Sequence, residues 1–479
     1  MTTLPPAAVA ISHVNHGGAD YWMERENGET TLVIRADDEA AYAGFEGTAD
    51  NGTFRAPTTG DNALALRNAL PWLKPVKRGL ATTAGTGDRL GICTPGHAAA
   101  FQSVGQGVNP VFAQQSIREM GRTHRQPRNV LDDATWGAFR QGWTGTVGAD
   151  ADHLKTFEDI DRCAEAGFVF YTIDPCDDLD LEAETTDIAV LKQKADAVDW
   201  ASFETTQADA MKYIGHTIDL ESGPLVLDEL AVLRTFGKFG PCLGHGLAMW
   251  RHLVDLGIDF EAEFAVDEAL ALTRPEEHAV LMLELKRLGV DVVSFAPKFV
   301  GKFEKGVEFI GDSDELRRDF KIQAEIARAL GPYKLSLHSG SDKFSTYPWI
   351  AEETRGFVHL KTAGTSWAEA LRIIARHDPE LTREILALAI DSYESNKKSY
   401  HLSCDPARVA TDLPDGQLDD LLTLIDSRQV LHVAYGAILD EFKPRMMKIW
   451  SDNDAELQDV IKGHFERHLA PFSPWAQQG

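Results

Sequence analysis

From about residue 89 onward, short apolar runs alternate with amphipathic helical patterns, as in parallel sheets with crossover helices. The runs are RLGICTP (89–95), PVFAQQS (110–116), TGTVGAD (144–150), GFVFYTID (167–174), GIDFEAEF (257–264), VDVVSFAP (290–297), YKLSLHS (333–339) and GFVHLKT (356–362). Between several of them lie patterns such as ELRRDFKIQAEIARAL (315–330) and SWAEALRIIARH (366–377). Eight such units predict an α/β fold, a TIM (β/α)8 barrel with its active site at the C-terminal ends of the strands. An open doubly wound sheet of similar content is the alternative.

The barrel is expected to span residues 81–378, after an N-terminal extension over 1–80 and before helical additions over 379–479. Within the extension, TTLVIRADD (30–38) predicts a strand and NALALRNALPWL (62–73) a helix stopped by Pro71 and Pro75. Residues 175–256 are too long for a connection between the fourth and fifth runs. They form an insertion, expected as a lid or wall over the barrel mouth.

Alternation along a barrel strand sends every second side chain inward. In 333–339 the leucines face the helices, so Ser336 and His338 face inward. The same rule turns His359 and Lys361 inward, and Glu261 and Glu263. Asp150, Asp152, His153, Asp174 and Lys298 fall at strand ends. Any one of these has a structural explanation, such as a hydrogen-bonded core histidine or a capping aspartate. Together they gather charge where barrel enzymes work, and burying that much charge without a use is costly.

Imidazole and carboxylate donors predict a divalent cation, Zn²⁺, Ni²⁺, Co²⁺ or Mn²⁺. His153, His338 and His359 are the expected ligands, with Asp150 and Asp174 competing. Asp152, Glu263 and Lys361 are the expected catalytic residues. Gln115, Lys298, Ser341 and Lys343 are the substrate-binding candidates, Lys343 because Gly340 and two serines beside it leave room for a ligand. GTGDRLG (85–91) and GHGLAMW (244–250) complete neither a dinucleotide fingerprint nor a P-loop.

Composition narrows the field. At 43% hydrophobic and 25% charged, the 479-residue chain is globular. A net charge of −27 argues against nucleic acid and anionic membranes, and demands local cations for any anionic substrate. Five scattered cysteines without a CxxC argue against a disulfide framework and a thiolate zinc site. Neither a signal peptide nor a membrane span is evident, so a cytoplasmic protein is expected, with homo-oligomers allowed.

The stretches GADADHLKT, FEAEFAVDE, APKFVGKFEKGVEFIGD, YKLSLHSGSDKFS and VHLKTAGTSWAEALR, in this order, resemble the tagaturonate epimerase family from about residue 80 to about 450. The resemblance implies interconversion of the 5-ketohexuronates tagaturonate and fructuronate in hexuronate breakdown. These differ at C3, beta to the ketone, where simple enolisation does not acidify the proton. Inversion there calls for retro-aldol cleavage and re-formation, or for transient oxidation, which wants a nicotinamide site. A divalent metal polarises the ketone, and strand-end carboxylates, Asp152 and Glu263, move the proton. The alternatives are a fructose/tagatose 4-epimerase acting on neutral ketohexoses, a metal-dependent class II-type aldolase, and a non-catalytic sugar-binding protein.

Overall fold

The computed structural model describes residues 4–26, 28–50, 52–400 and 402–478; residues 1–3 of the N-terminal extension lie outside them. An antiparallel sheet comes first. Its strands are β1 (Val14–His16), β2 (Ala19–Glu26), β3 (Glu29–Ala36), β4 (Thr48–Asp50) and β5 (Thr53–Pro57), in the order β1-β2-β3-β5-β4. The TTLVIRADD run supplies β3, whose Leu32, Val33 and Ile34 are buried. Arg25 on β2 ties the sheet to the C-terminal helices through Asp454 and the Ser451 carbonyl. Helix Gly60–Ala69 starts where Thr59 Oγ1 accepts the Asn62 N–H, and it stops before Pro71, which has no N–H to continue the ladder.

The barrel follows. Its strands are β6 (Thr83–Gly85), β7 (Asn109–Ser116), β8 (Gly148–Leu154) and β9 (Phe170–Ile173). After a hairpin of β10 (Thr217–Leu220) and β11 (Gly223–Val226) come β12 (Glu261–Ala265), β13 (Ser294–Ala296), β14 (Lys334–Leu337) and β15 (Val358–Lys361). All eight barrel strands pair in parallel, and β15 pairs with β6 to close the ring. That closure decides for the (β/α)8 barrel against the open sheet.

The first barrel strand is not RLGICTP. There the Asp88 carboxylate accepts the N–H groups of Leu90, Gly91 and Cys93 and folds the segment into a loop. Pro95 then opens helix Thr94–Val104, where its missing N–H costs nothing. The strand is the short Thr83–Gly85 instead, fixed by its parallel neighbours and not by an apolar run of its own.

The 175–256 insertion is not a lid. It begins at the mouth, where Lys155 holds Asp177. It then runs down the outside of the helices Pro275–Arg287 and Ser313–Leu330: Tyr213 donates to Glu284, and Arg287 to the Phe203 carbonyl. The β10–β11 turn ends on Arg328 and Arg355 through Glu221, and Arg355 precedes β15 at the opposite end from the mouth. Much of the insertion is the long helix Glu229–Asp255, whose lower half is the crossover into β12. Walls at the mouth come instead from Arg118 after β7, Phe303 and Lys305 after β13, and Tyr400 from the C-terminal region.

Candidate active site

Strand β8 carries Asp150 and Asp152 inward, both buried. Between Ala151 and Leu154 its register with β9 shifts, and His153 takes a left-handed backbone with φ of 53°. Strict alternation points residue 153 outward; an irregularity of this kind re-aims a side chain and is common beside active sites. The turned ring lies 4.8 Å, centroid to centroid, from His338 at the end of β14.

Each of the two histidines is oriented by a carboxylate. His153 Nδ1 is 2.8 Å from Asp174 Oδ2, and His338 Nε2 is 2.6 Å from Glu263 Oε1. The second nitrogen of each ring is left over. His338 Nδ1 stands 2.7 Å from Asp267 Oδ1, yet without hydrogen-bond alignment, so both buried atoms are unsatisfied. One ligand atom from each of His153, Asp267 and His338 lies within 4.8 Å of the others. Two imidazoles and a carboxylate, with the far ring nitrogens engaged by acids, fit a divalent cation that keeps open positions for substrate. His153, Asp174 and Glu268 form a second such group, but in it the Asp174 carboxylate is already taken by the ring.

Charge at the site is arranged around Lys361, at the end of β15. Its ammonium lies 2.9 Å from Asp150, 2.7 Å from Asp152, 2.9 Å from Glu263 and 2.5 Å from Thr172 Oγ1. Burial alone opposes the ammonium form; the three carboxylates overturn it and hold the Lys361 pKa well above the usual range. Burial likewise works against the Asp152 and Glu263 carboxylates, but Lys361 and the histidines keep both ionised, with pKa values below the ordinary range. His153 is driven up to about 10, against burial, by Asp152, Glu268 and its bond to Asp174. Asp150, Asp152, Asp174, Glu263 and Asp267 thus crowd against Lys361, His153 and His338, while Glu268 is shared with Arg118 and Lys155; the carboxylates left around the two rings suit an added cation.

Other expected residues are placed differently. His359 sits deeper in the barrel, with Nδ1 2.8 Å from Thr83 Oγ1 and Nε2 3.6 Å from Asp150, and does not join His153 and His338. Lys343 is fully buried, and its ammonium donates to the carbonyls of Glu304, Val307 and Ser341; no donor remains for a ligand. Ser341 is buried beneath it. Gln115 is buried with its amide unpartnered, whereas Gln114 donates to Asp150 Oδ2 at 3.1 Å, so the inner amide of β7 is Gln114. Lys298 does line the mouth.

The residues missed lie in loops. Asp267 and Glu268 follow β12 in FAVDE, beyond the reach of the alternation rule; the only signal was an acidic pair directly after a strand. Glu268 Oε1 accepts from Arg118 at 3.1 Å. A further buried group, Asp342, His464 and His468, is internally satisfied. Asp342 Oδ1 is 3.0 Å from His464 Nε2, its Oδ2 accepts from Thr365 and Arg428, and its N–H donates to His468 Nε2.

A sequence profile of tagaturonate epimerases matches residues 11–472. The tagaturonate/fructuronate epimerase of Thermotoga maritima is 39% identical over 413 residues, covering 85% of this chain and 84% of that one. Crystal structures of the fructuronate-tagaturonate epimerase of Cohnella laeviribosi, native and with two glycerols bound, superpose with a TM-score of 0.91 at 30% identity, covering 97% of this chain and 96% of that one.

Proposed function

The chain belongs to the tagaturonate epimerase family and is an isomerase, and from that premise we propose that it interconverts tagaturonate and fructuronate at C3 by divalent-metal-assisted retro-aldol and aldol steps. The observation that carries the metal is the pair of carboxylate-oriented histidines whose leftover nitrogens face Asp267. Such a cation supplies Lewis-acid polarisation of the C5 ketone. His153 and His338, oriented by Asp174 and Glu263, would hold it together with Asp267.

Asp152 is the base. Its Oδ1 is held by Lys361, and its other oxygen makes no hydrogen bond among the described residues. It takes the proton of the C3 hydroxyl as the C3–C4 bond breaks. The electron pair of that bond moves into the C4–C5 unit, giving the enediolate of dihydroxyacetone and a three-carbon aldehyde acid. The aldehyde turns over, the same bond re-forms on its other face, and Asp152 returns the proton to the C3 oxygen. Lys361 has too many carboxylate partners to act as a base; it keeps Asp152 ionised and balances the site's charge. Phe299, Phe303 and Tyr400 shield the fragments from water.

The substrate is a small sugar acid. No helix among the described residues is long and apolar enough to cross a membrane, and all five cysteines are unpaired, which fits a cytoplasmic enzyme. The test is removal and return of metal: chelation should abolish turnover of tagaturonate, and a divalent transition ion should restore it with about one equivalent bound. Full turnover in exhaustively chelated protein would overturn the metal assignment.

A further inference from the structure

Three cations line the mouth beside the ligand candidates: Arg118, Lys298 and Lys305. Arg118 is engaged, with Glu268 at 3.1 Å and the Tyr400 ring centroid at 4.9 Å. The ammonium groups of Lys298 and Lys305 make no hydrogen bond or ion pair among the described residues. Lys298 acts on the charge of Asp267 and so stands toward the metal-ligand end. Lys305 feels Glu119, but that carboxylate is already held by Arg89 at 2.6 Å. Lys305 therefore carries uncompensated positive charge into the mouth of a protein with a net charge of −27.

The loop that presents Lys305 is fixed from beneath. Lys343 donates to Glu304 O at 2.8 Å and to Val307 O at 2.5 Å, and Arg428 Nε donates to Gly306 O at 2.6 Å. Glu304 Oε2 accepts from Ser403 N at 2.8 Å and from Gln429 Nε2 at 3.0 Å. Gly306 has φ of 68°, and a Cβ there would approach His432 Nδ1 to 3.1 Å, so only glycine passes freely. Lys343 with two of its donors, Arg428 with one of its several, and the buried Glu304 carboxylate thus hold the loop whose lysine has no partner. Preorganisation of that kind lowers the cost of binding an anion.

We propose that Lys305 is the specificity-determining residue of this site: its ammonium binds the C1 carboxylate of a 5-ketohexonate whose ketone end lies at His153, Asp267 and His338, with Lys298 between the two ends. Lys343 acts through Lys305, as a positioning residue. The assignment rests on the epimerase reading above and adds the feature that separates sugar acids from neutral ketoses.

The test compares tagaturonate with neutral tagatose in wild type, Lys305→Met and Lys305→Arg. Loss of a charge-assisted hydrogen bond should lower the ratio of kcat/KM for tagaturonate over tagatose by roughly ten- to a hundredfold in Lys305→Met, mainly through the KM for the acid. Lys305→Arg should recover it to within a few fold. An unchanged ratio in Lys305→Met, or an equal loss on both sugars, overturns the assignment. Calorimetric binding of D-gluconate, an open-chain acid with no ketone to cleave, separates this from the reaction itself. If wild type turns over neither sugar, the epimerase reading fails; gluconate binding weakened by a similar factor in Lys305→Met then still supports the clamp, and unaltered binding overturns it.

Discussion

Lys343 has glycine and two serines beside it, the setting in which a lysine reaches a ligand, yet three backbone carbonyls claim its ammonium. Burial lowers its pKa to about 8, with Asp342 and Glu308 acting in the other direction. Each carbonyl stranded by Lys343→Met costs about 1–3 kcal/mol, so the variant should lose at least about 3 kcal/mol in urea unfolding; an unchanged midpoint would show that the bonds are dispensable. Glu263 and Asp152 now part company. Glu263→Gln should weaken metal binding roughly 10–100-fold, because it orients His338. Asp152→Asn should keep the metal and lose roughly 10²–10⁴ in kcat. Metal titration beside steady-state kinetics distinguishes them, and the reverse pattern would exchange their roles. The inward set of Ser336, His338, His359 and Lys361 was legible because a period of two leaves a strand no freedom. Depth was not: His359 and Lys361 share a face of β15, but only Lys361 reaches the layer of Asp152 and Glu263.

Among the elements, those with strong apolar runs were legible, and those defined by partners were not. β6 is Thr-Ala-Gly, a strand only because β15 and β7 pair with it. The RLGICTP run has strand-like composition, but the Asp88 carboxylate and Pro95 override it. Sequence also showed that 175–256 is an insertion without showing which way it turns, since Glu221–Arg328 and Tyr213–Glu284 are contacts across more than seventy residues. The loop after β14 is held to helix Asp454–Leu469 by Asp342, buried against His464 and Arg428. Asp342→Asn removes the buried charge and should cost about 3–5 kcal/mol. Denaturant unfolding checks it, and a loss below about 1 kcal/mol would mean that the helix is held by its apolar face alone.

For the protein taken entire, acid should be the weak side. Burial lowers the His97 pKa to about 4 and that of His278 to about 3. A histidine depressed on folding contributes stability that is fully present above its unfolded value near 6.5 and is lost as pH falls from there toward the folded value. Protonating the unfolded chain should therefore cost on the order of 3 kcal/mol for His97 between pH 6.5 and 4. Equilibrium unfolding across that range should show a loss that His97→Gln and His278→Gln reduce; a flat profile would contradict it. The barrel was legible from the spacing of apolar runs, although one of the eight, RLGICTP, is a loop; of the candidate ligand group, His153 and His338 were expected and Asp267 was not, because it sits in a loop after β12. The proposed inversion at C3 breaks and re-forms a carbon–carbon bond. The most direct measurement follows tagaturonate by NMR in D₂O with metal-loaded protein. Cleavage between C3 and C4 predicts that fructuronate appears with its original hydrogen still on C3. Deuterium at C3, or no fructuronate at all, would contradict the account.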